Sequence, residues 1–313
     1  MIGIGLLGCG RIAKRHAGLL GSGQIAGAEL RAVADIIPER ARAFSERFKV
    51  PAHLTMEELL GRSDLDVVSV LTPSGHHAEH VIAAARASKH VVVEKPMALR
   101  LSDADAMIRA CDGAGVKLFV VKQNRFNVPV LKLREALVAG RFGRLVLGTV
   151  RVRWCRDQAY YDQDEWRGTW RLDGGVLSNH ASHQIDLLEW MMGDVESVRA
   201  IATTALVDIE AEDTAVATLR FTNGSLGVIE ATTATRPRDL EGSISILGEK
   251  GAVEIGGFAV NEMRVWQFST PLPSDEEVLT KYSVNPPNVY GFGHQAYYRH
   301  VVECLTSGGA ALV

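Results

Sequence analysis

Ile2-Gly3-Ile4-Gly5-Leu6-Leu7-Gly8-Cys9-Gly10-Arg11-Ile12-Ala13 is the stretch from which the fold is read. A short apolar run reaches two glycines, and a helical pattern through His16 and Leu20 follows, so the order is strand, tight turn, helix. The spacing is G-x-G-x-x-A. Gly8 permits the turn, Gly10 lets a pyrophosphate approach the backbone, and the small Ala13 lets helix and strand pack closely. The helix N-terminus then offers amide hydrogens to phosphates.

Working outward, a second strand over residues 29–34 ends on Asp35, at the distance where a carboxylate binds both ribose hydroxyls of a dinucleotide. A carboxylate there repels a 2′-phosphate, which favours NAD over NADP. The competing assignment makes Asp35 the cap of the helix that begins near Pro38. Residues 66–71 form a third strand that closes on Thr72-Pro73-Ser74-Gly75-His76-His77, and loops after such strands line the ligand crevice. His76, His77 and His80 have no carboxylate or Cys at ligand spacing, so capping and solvent contact suit them better than metal. The strand at 90–93 ends in Glu94-Lys95-Pro96, which places an ammonium at the crevice edge. The strand at 117–122 delivers Gln123-Asn124-Arg125-Phe126 to the same edge. The expected class is therefore α/β: a doubly wound parallel sheet over residues 1–124, followed by a second domain over 125–313.

After a helix at 130–139, strand-like runs dominate the second domain, at 145–154, 195–206, 214–221, 226–234, 243–247, 252–255 and 263–268. Asn223-Gly224 and Gly248-Glu249-Lys250-Gly251 supply hairpin turns. An α+β domain with a large, mostly antiparallel open sheet follows, and that sheet would serve a homo-oligomer, dimer or tetramer, as its contact.

The chemistry is placed in Asp173-Gly174-Gly175-Val176-Leu177-Ser178-Asn179-His180-Ala181-Ser182-His183-Gln184-Ile185-Asp186. Asn179, His183 and Asp186 fall at i, i+4 and i+7, which puts them on one face of a single helix. Ile185, Leu187, Leu188, Trp190 and Met191 form its apolar stripe. Upstream, residues 160–171 are dense in aromatics and arginines, a composition that binds planar or anionic ligands or simply anchors a long loop.

Composition narrows the class. With 313 residues, 47% apolar, 23% charged and a net charge of −3, the chain has material for two cores and no basic field for nucleic acid or an anionic membrane. Cys9, Cys111, Cys155 and Cys304 are scattered without CxxC pairing, which fits a reducing cytoplasm and argues against a structural zinc site. No apolar run reaches the roughly 18 residues of a membrane span.

Gly8-x-Gly10, Glu94-Lys95-Pro96 and Gly174-Gly175 followed by His183 and Asp186 together resemble the Gfo/Idh/MocA oxidoreductase family over nearly the whole chain. More narrowly, residues 121–127, 160–170 and 288–294 resemble its WlbA-like branch. That resemblance implies NAD-dependent oxidation of the 3-hydroxyl of UDP-N-acetyl-glucosaminuronic acid, in the biosynthesis of a diamino uronic acid of lipopolysaccharide O-antigen. Many members of the family carry Asp where this chain has Asn179, which removes a carboxylate from the site and fits a substrate that is itself anionic. Members also continue past the point where this chain ends, including a helix that returns to the first domain, so truncation is expected.

Removing hydride from a sugar carbon requires the hydroxyl proton to leave as well. His183 is assigned as base, Lys95 as donor to the same oxygen, and Asn179 or Asp186 as the group that orients the imidazole. The cofactor set is Gly8, Gly10, Arg11, Ile12, Asp35, Thr72, Pro73, His76, Glu94, Lys95, Gln123, Trp166 and Arg167. The substrate set is Lys95, Asn124, Arg125, Tyr160, Asn179, His183, Tyr290 and His294. Arg153, Arg156, Arg236 and Arg238 are further candidates for its anionic groups, and no metal is required. Two other readings stay open: a different sugar or inositol dehydrogenase of the same family, and a dinucleotide-binding sensor without catalysis. The sugar's stereochemistry and the electron acceptor that recycles the cofactor are not readable from the chain.

Overall fold

The structure is a computed structural model and describes residues 1–284, 286 and 291–313. It divides into two compact units: Met1–Val121 together with His294–Val313, and Lys122–Gly293.

In the first unit, β1 (Ile2–Leu7), β2 (Ala28–Ala34), β3 (Ala52–His53), β4 (Val67–Val70), β5 (His90–Val93) and β6 (Leu118–Val120) form one sheet in the order β3-β2-β1-β4-β5-β6. Every pairing is parallel. β4 is buried at all four positions, as a strand covered on both faces must be. Helices Ala13–Gly21, Pro38–Phe48, His77–Arg86 and Leu101–Ala114 connect the strands. Leu7, Val68, Val70, Val91, Val93, Met107 and Cys111 meet in one core.

The compact units differ from the expected division at 124/125. The first unit stops at Val121, and the chain returns to it at His294. Helix Gly293–Ser307 buries Tyr297, Tyr298, Val301 and Cys304, an i, i+1, i+4, i+7 stripe that marks an inward face without saying which core receives it. This helix belongs to the first unit.

In the second unit, β7 (Leu145–Arg153), β8 (Val195–Thr203), β9 (Thr214–Phe221), β10 (Leu226–Thr232), β11 (Glu241–Gly248), β12 (Gly251–Gly256) and β13 (Glu262–Phe268) form a sheet ordered β13-β12-β11-β7-β10-β9-β8. All neighbours are antiparallel except β7 and β10. Along β9, Ala215, Ala217, Leu219 and Phe221 face the core, while Val216, Thr218 and Arg220 do not. Helix Ser182–Met192 packs Leu187, Leu188, Met191 and Met192 into that core.

Candidate active site

In the first unit the glycine turn has the geometry its spacing asks for. Gly8 adopts φ +103°, and a Cβ there would lie 2.9 Å from the Leu71 carbonyl oxygen. At Gly10 a Cβ would meet nothing within 4 Å, so the backbone is open to a close approach from outside. Arg11 is exposed and Ile12 half-buried just before helix Ala13–Gly21. Asp35 accepts from the Cys9 amide at 2.7 Å and from the Ile37 amide at 2.8 Å. One carboxylate therefore orders the glycine turn and closes the short turn that leads into the next helix, whose N-cap is Ile37 and not Asp35, and its remaining lone pairs are available to a ligand hydroxyl. These residues fit a dinucleotide.

Two further loops converge on Lys95. Thr72 Oγ1 lies 2.8 Å from His80 Nδ1, and His76 is within 3.9 Å of Glu79. His77, beside Pro73 and His76, is buried with Nδ1 at 2.8 Å from the Pro96 carbonyl and Nε2 at 3.0 Å from the Thr72 carbonyl. It ties the loop after β4 to the loop after β5. Burial pushes its pKa below the ordinary imidazole value, against the pull of the two carbonyls. Glu94 is buried too: one carboxylate oxygen accepts from His16 Nε2 at 3.0 Å and the other from the Lys95 amide at 3.0 Å. Burial raises the Glu94 pKa, but the hydrogen bond from His16 and the electrostatic influence of the nearby His16, His294 and Lys95 outweigh it and hold the carboxyl down at about 2. His294, expected beside the substrate, is fully buried with its ring centroid 5.6 Å from that of His16. It lies in the first turn of the returning helix, which is why it is inside. Ligand-type atoms of His16, Glu94 and His294 lie within 4.8 Å of one another, and both ring nitrogens of His16 already have hydrogen-bond partners. Tyr290 lies outside the described residues.

In the second unit the helix carrying Asn179 and His183 is not continuous. Val176–His180 is a π-helical turn and Ser182–Met192 a separate α-helix, with Ala181 between them. Gly175 leaves no room for a side chain against the Glu212 carboxylate. Glu212 also accepts from the Val176 and Leu177 amides at 2.8 and 3.0 Å. This grip widens the turn, and an i, i+4, i+7 face does not survive it. Asn179 donates to Asp173, which also accepts from the Gly168 amide at 2.7 Å. The carboxylate thought missing at position 179 is thus supplied six residues earlier. His183 and Asp186, one turn apart, both face the turn Gln123–Phe126. Gln123 Nε2 lies 3.1 Å from His183 Nε2, and because an amide nitrogen only donates, that ring nitrogen is the acceptor. Asp186 is occupied by a two-pronged ion pair with Arg125 rather than by the imidazole expected for it.

Gln123 Oε1 and Asn124 Oδ1 are buried acceptors with no hydrogen-bond partner among the described residues. Buried acceptors of that kind mark a place where a ligand donates. In the aromatic loop, Tyr160 OH accepts from Arg167 at 2.9 Å, and the Arg167 guanidinium lies 4.6 Å from the Trp166 ring. Tyr160 is also 6.0 Å from the His180 ring and 5.4 Å from the Arg156 guanidinium. The arginines expected to meet an anion are mostly matched already: Arg153 by Glu230, Arg156 by Asp239 and Arg167 by Asp164. Arg236 instead donates to the carbonyls of Arg156, Thr233 and Thr235. No motif signals that Asp173 holds Asn179, that Gln123 partners His183 or that His16 pairs with Glu94. Only their polarity inside apolar surroundings could have flagged them.

The comparisons agree with this geometry. Residues 2–122 match the oxidoreductase family with an NAD-binding Rossmann fold, and residues 130–254 match the GFO/IDH/MocA C-terminal domain. The chain is similar to the WlbA dehydrogenase from Bordetella pertussis, solved in complex with NADH and UDP-GlcNAcA. Identity is 44%, coverage is 100% of this chain and 89% of that one, and the TM-score is 0.92. The corresponding WlbA dehydrogenase from Chromobacterium violaceum is 43% identical, with 100% and 88% coverage and a TM-score of 0.92. Myo-inositol 2-dehydrogenase from Thermotoga maritima is 35% identical over 80% of this chain and 74% of that protein. A glycine turn built for a dinucleotide, Lys95 at the end of β5 and a buried His183 thus stand in a chain that belongs to the Gfo/Idh/MocA family of NAD-binding oxidoreductases.

Proposed function

We propose that this oxidoreductase uses NAD to oxidise the 3-hydroxyl of UDP-N-acetyl-glucosaminuronic acid to the 3-keto sugar. The observation that carries the reading is the 44% identity, over the entire chain, to a dehydrogenase crystallised with NADH and UDP-GlcNAcA. Bound NAD supplies the hydride acceptor. His183 takes the hydroxyl proton at Nε2, the nitrogen that accepts from Gln123, so the substrate hydroxyl replaces the Gln123 amide there. Lys95 donates to the same oxygen and stabilises its developing charge. Asn179, backed by Asp173, and Asn124 bond polar groups of the sugar, and Tyr160 lies beside it. The anionic groups fall to Arg236 and Arg238 in preference to Arg125, since Arg236 has no carboxylate within 4.0 Å among the described residues whereas Arg125 is matched by Asp186.

The setting follows from the same reading: the cytoplasm, in lipopolysaccharide O-antigen biosynthesis. Four free cysteines fit a reducing compartment. No helix among the described residues is long and apolar enough to cross a membrane. Val198, Ile201 and Val216 are exposed on β8 and β9, and we assign that region of the sheet to contact with further copies of the chain in a dimer or tetramer, which light scattering checks.

A neutral polyol is the second reading, favoured by the Thermotoga relative. Purified protein is incubated with NAD and either UDP-N-acetyl-glucosaminuronic acid or myo-inositol, and absorbance at 340 nm is followed. Reduction with the sugar acid alone supports the proposal. Reduction with inositol alone, or no binding of UDP by calorimetry, overturns it.

A further inference from the structure

The end of β5 poses a positioning problem. The last sheet hydrogen bond runs from the Glu94 amide to the Val70 carbonyl, and Pro96 has no N–H to continue the ladder. Lys95 lies between them. Its amide is held by a side chain, Glu94 Oε2, at 3.0 Å. A carboxylate on a flexible stem fixes nothing unless it is itself fixed.

It is fixed by a buried chain. Glu94 Oε1 accepts from His16 Nε2 at 3.0 Å, and His16 Nδ1 lies 2.6 Å from the Tyr298 hydroxyl, which lies 3.0 Å from Ser69 Oγ on β4. His16, Ser69 and Tyr298 are all 0% exposed, so water cannot stand in for a missing partner. The directions close without an orphan: Ser69 donates to Tyr298, Tyr298 to His16 Nδ1, His16 Nε2–H to Glu94, and the Lys95 amide to Glu94. This leaves one net negative charge, on the carboxylate. Burial also raises the Tyr298 pKa, which keeps its hydroxyl a donor.

We propose that His16 and Tyr298 are positioning residues for Lys95, holding the Glu94 carboxylate against the Lys95 main-chain N–H and so fixing where its side chain leaves the sheet. The returning helix Gly293–Ser307 thereby supports the site through one hydroxyl. The inference rests on the reading of Lys95 as donor to the reacting oxygen.

The test uses the full chain with selectively labelled lysine. In Tyr298→Phe, which keeps the ring, the Lys95 amide should exchange at least about tenfold faster, and kcat should fall between about 10- and 10²-fold, with KM for the sugar and Kd for NADH nearly unchanged. His16→Leu should behave likewise. His16→Gln, which can both accept from Tyr298 and donate to Glu94, should restore kcat. A purely stabilising network would lower Tm in all three variants without this split between kcat and KM. Unchanged Lys95 amide exchange in Tyr298→Phe, or wild-type kcat in His16→Leu, overturns the proposal. If the wild-type protein oxidises no sugar acid, the functional reading fails, while the amide-exchange measurement still decides this one.

Discussion

Arg125 meets Asp186 fork to fork, with Nε and one Nη each 2.8 Å from a carboxylate oxygen, and its guanidinium lies 4.9 Å from the Trp190 ring. An arginine so occupied orders the turn Gln123–Phe126 against helix Ser182–Met192, beside Gln123 and His183. Both partners are largely buried, so Arg125→Ala leaves a poorly solvated carboxylate and should cost about 3 kcal/mol. Arg125→Met combined with Asp186→Leu should cost less than either single change. Thermal unfolding of Arg125→Ala, of Arg125→Met and Asp186→Leu singly and of their double variant checks this, and additive losses in the double variant would contradict it.

Lys95→Ala and His183→Asn should each lower kcat by about 10² to 10⁴ while NADH still binds, since both act on the substrate hydroxyl. Stopped-flow turnover together with NADH fluorescence titration separates the two effects. Near wild-type kcat in His183→Asn would reassign the base.

Asp35→Ala removes the acceptor of the Cys9 and Ile37 amides. It should weaken NAD binding, narrow the preference over NADP, and lower stability by about 1 kcal/mol through the two lost turn hydrogen bonds. Titration with both dinucleotides is the measurement. An unchanged preference alongside lowered stability would confine Asp35 to ordering these turns.

Gly175→Ala forces a methyl group into the Glu212 carboxylate. The π-helical turn must shift, carrying Asn179 away from Asp173. A loss of about 1–3 kcal/mol from overpacking is expected, with kcat falling more than in a surface control.

Acid stability should report on Glu94. Its folded pKa, about 2, lies below the ordinary 4.5, so its stabilisation is present above pH 4.5 and is lost as the pH falls from there to about 2. The difference corresponds to at most about 3 kcal/mol. Glu94→Gln should be less stable at pH 7, and its stability should fall less steeply between pH 4.5 and 2. Parallel urea titrations at several pH values give the comparison.

The sequence by itself determined the elements of both sheets and the turn chemistry. Gly8 and Gly10 follow from spacing. Buried parallel strands read as unbroken apolar runs, and β9 reads as alternation, because one face or both faces of a strand must be covered. The exception is β3, two residues long, too short to carry a period.

Tertiary structure alone decided the partners. Nothing local says that Asp186 belongs to Arg125, that Gln123 bonds His183, or that Glu212 grips Gly175 and turns an expected α-helix into a π-turn. Those contacts join residues 61, 60 and roughly three dozen positions apart. Tyr298 is 282 positions from His16. Periodicity tells a residue which way to face, whereas the group it meets depends on how strands and helices far apart in the chain are packed. A buried polar side chain must find its hydrogen bond wherever that packing has placed one.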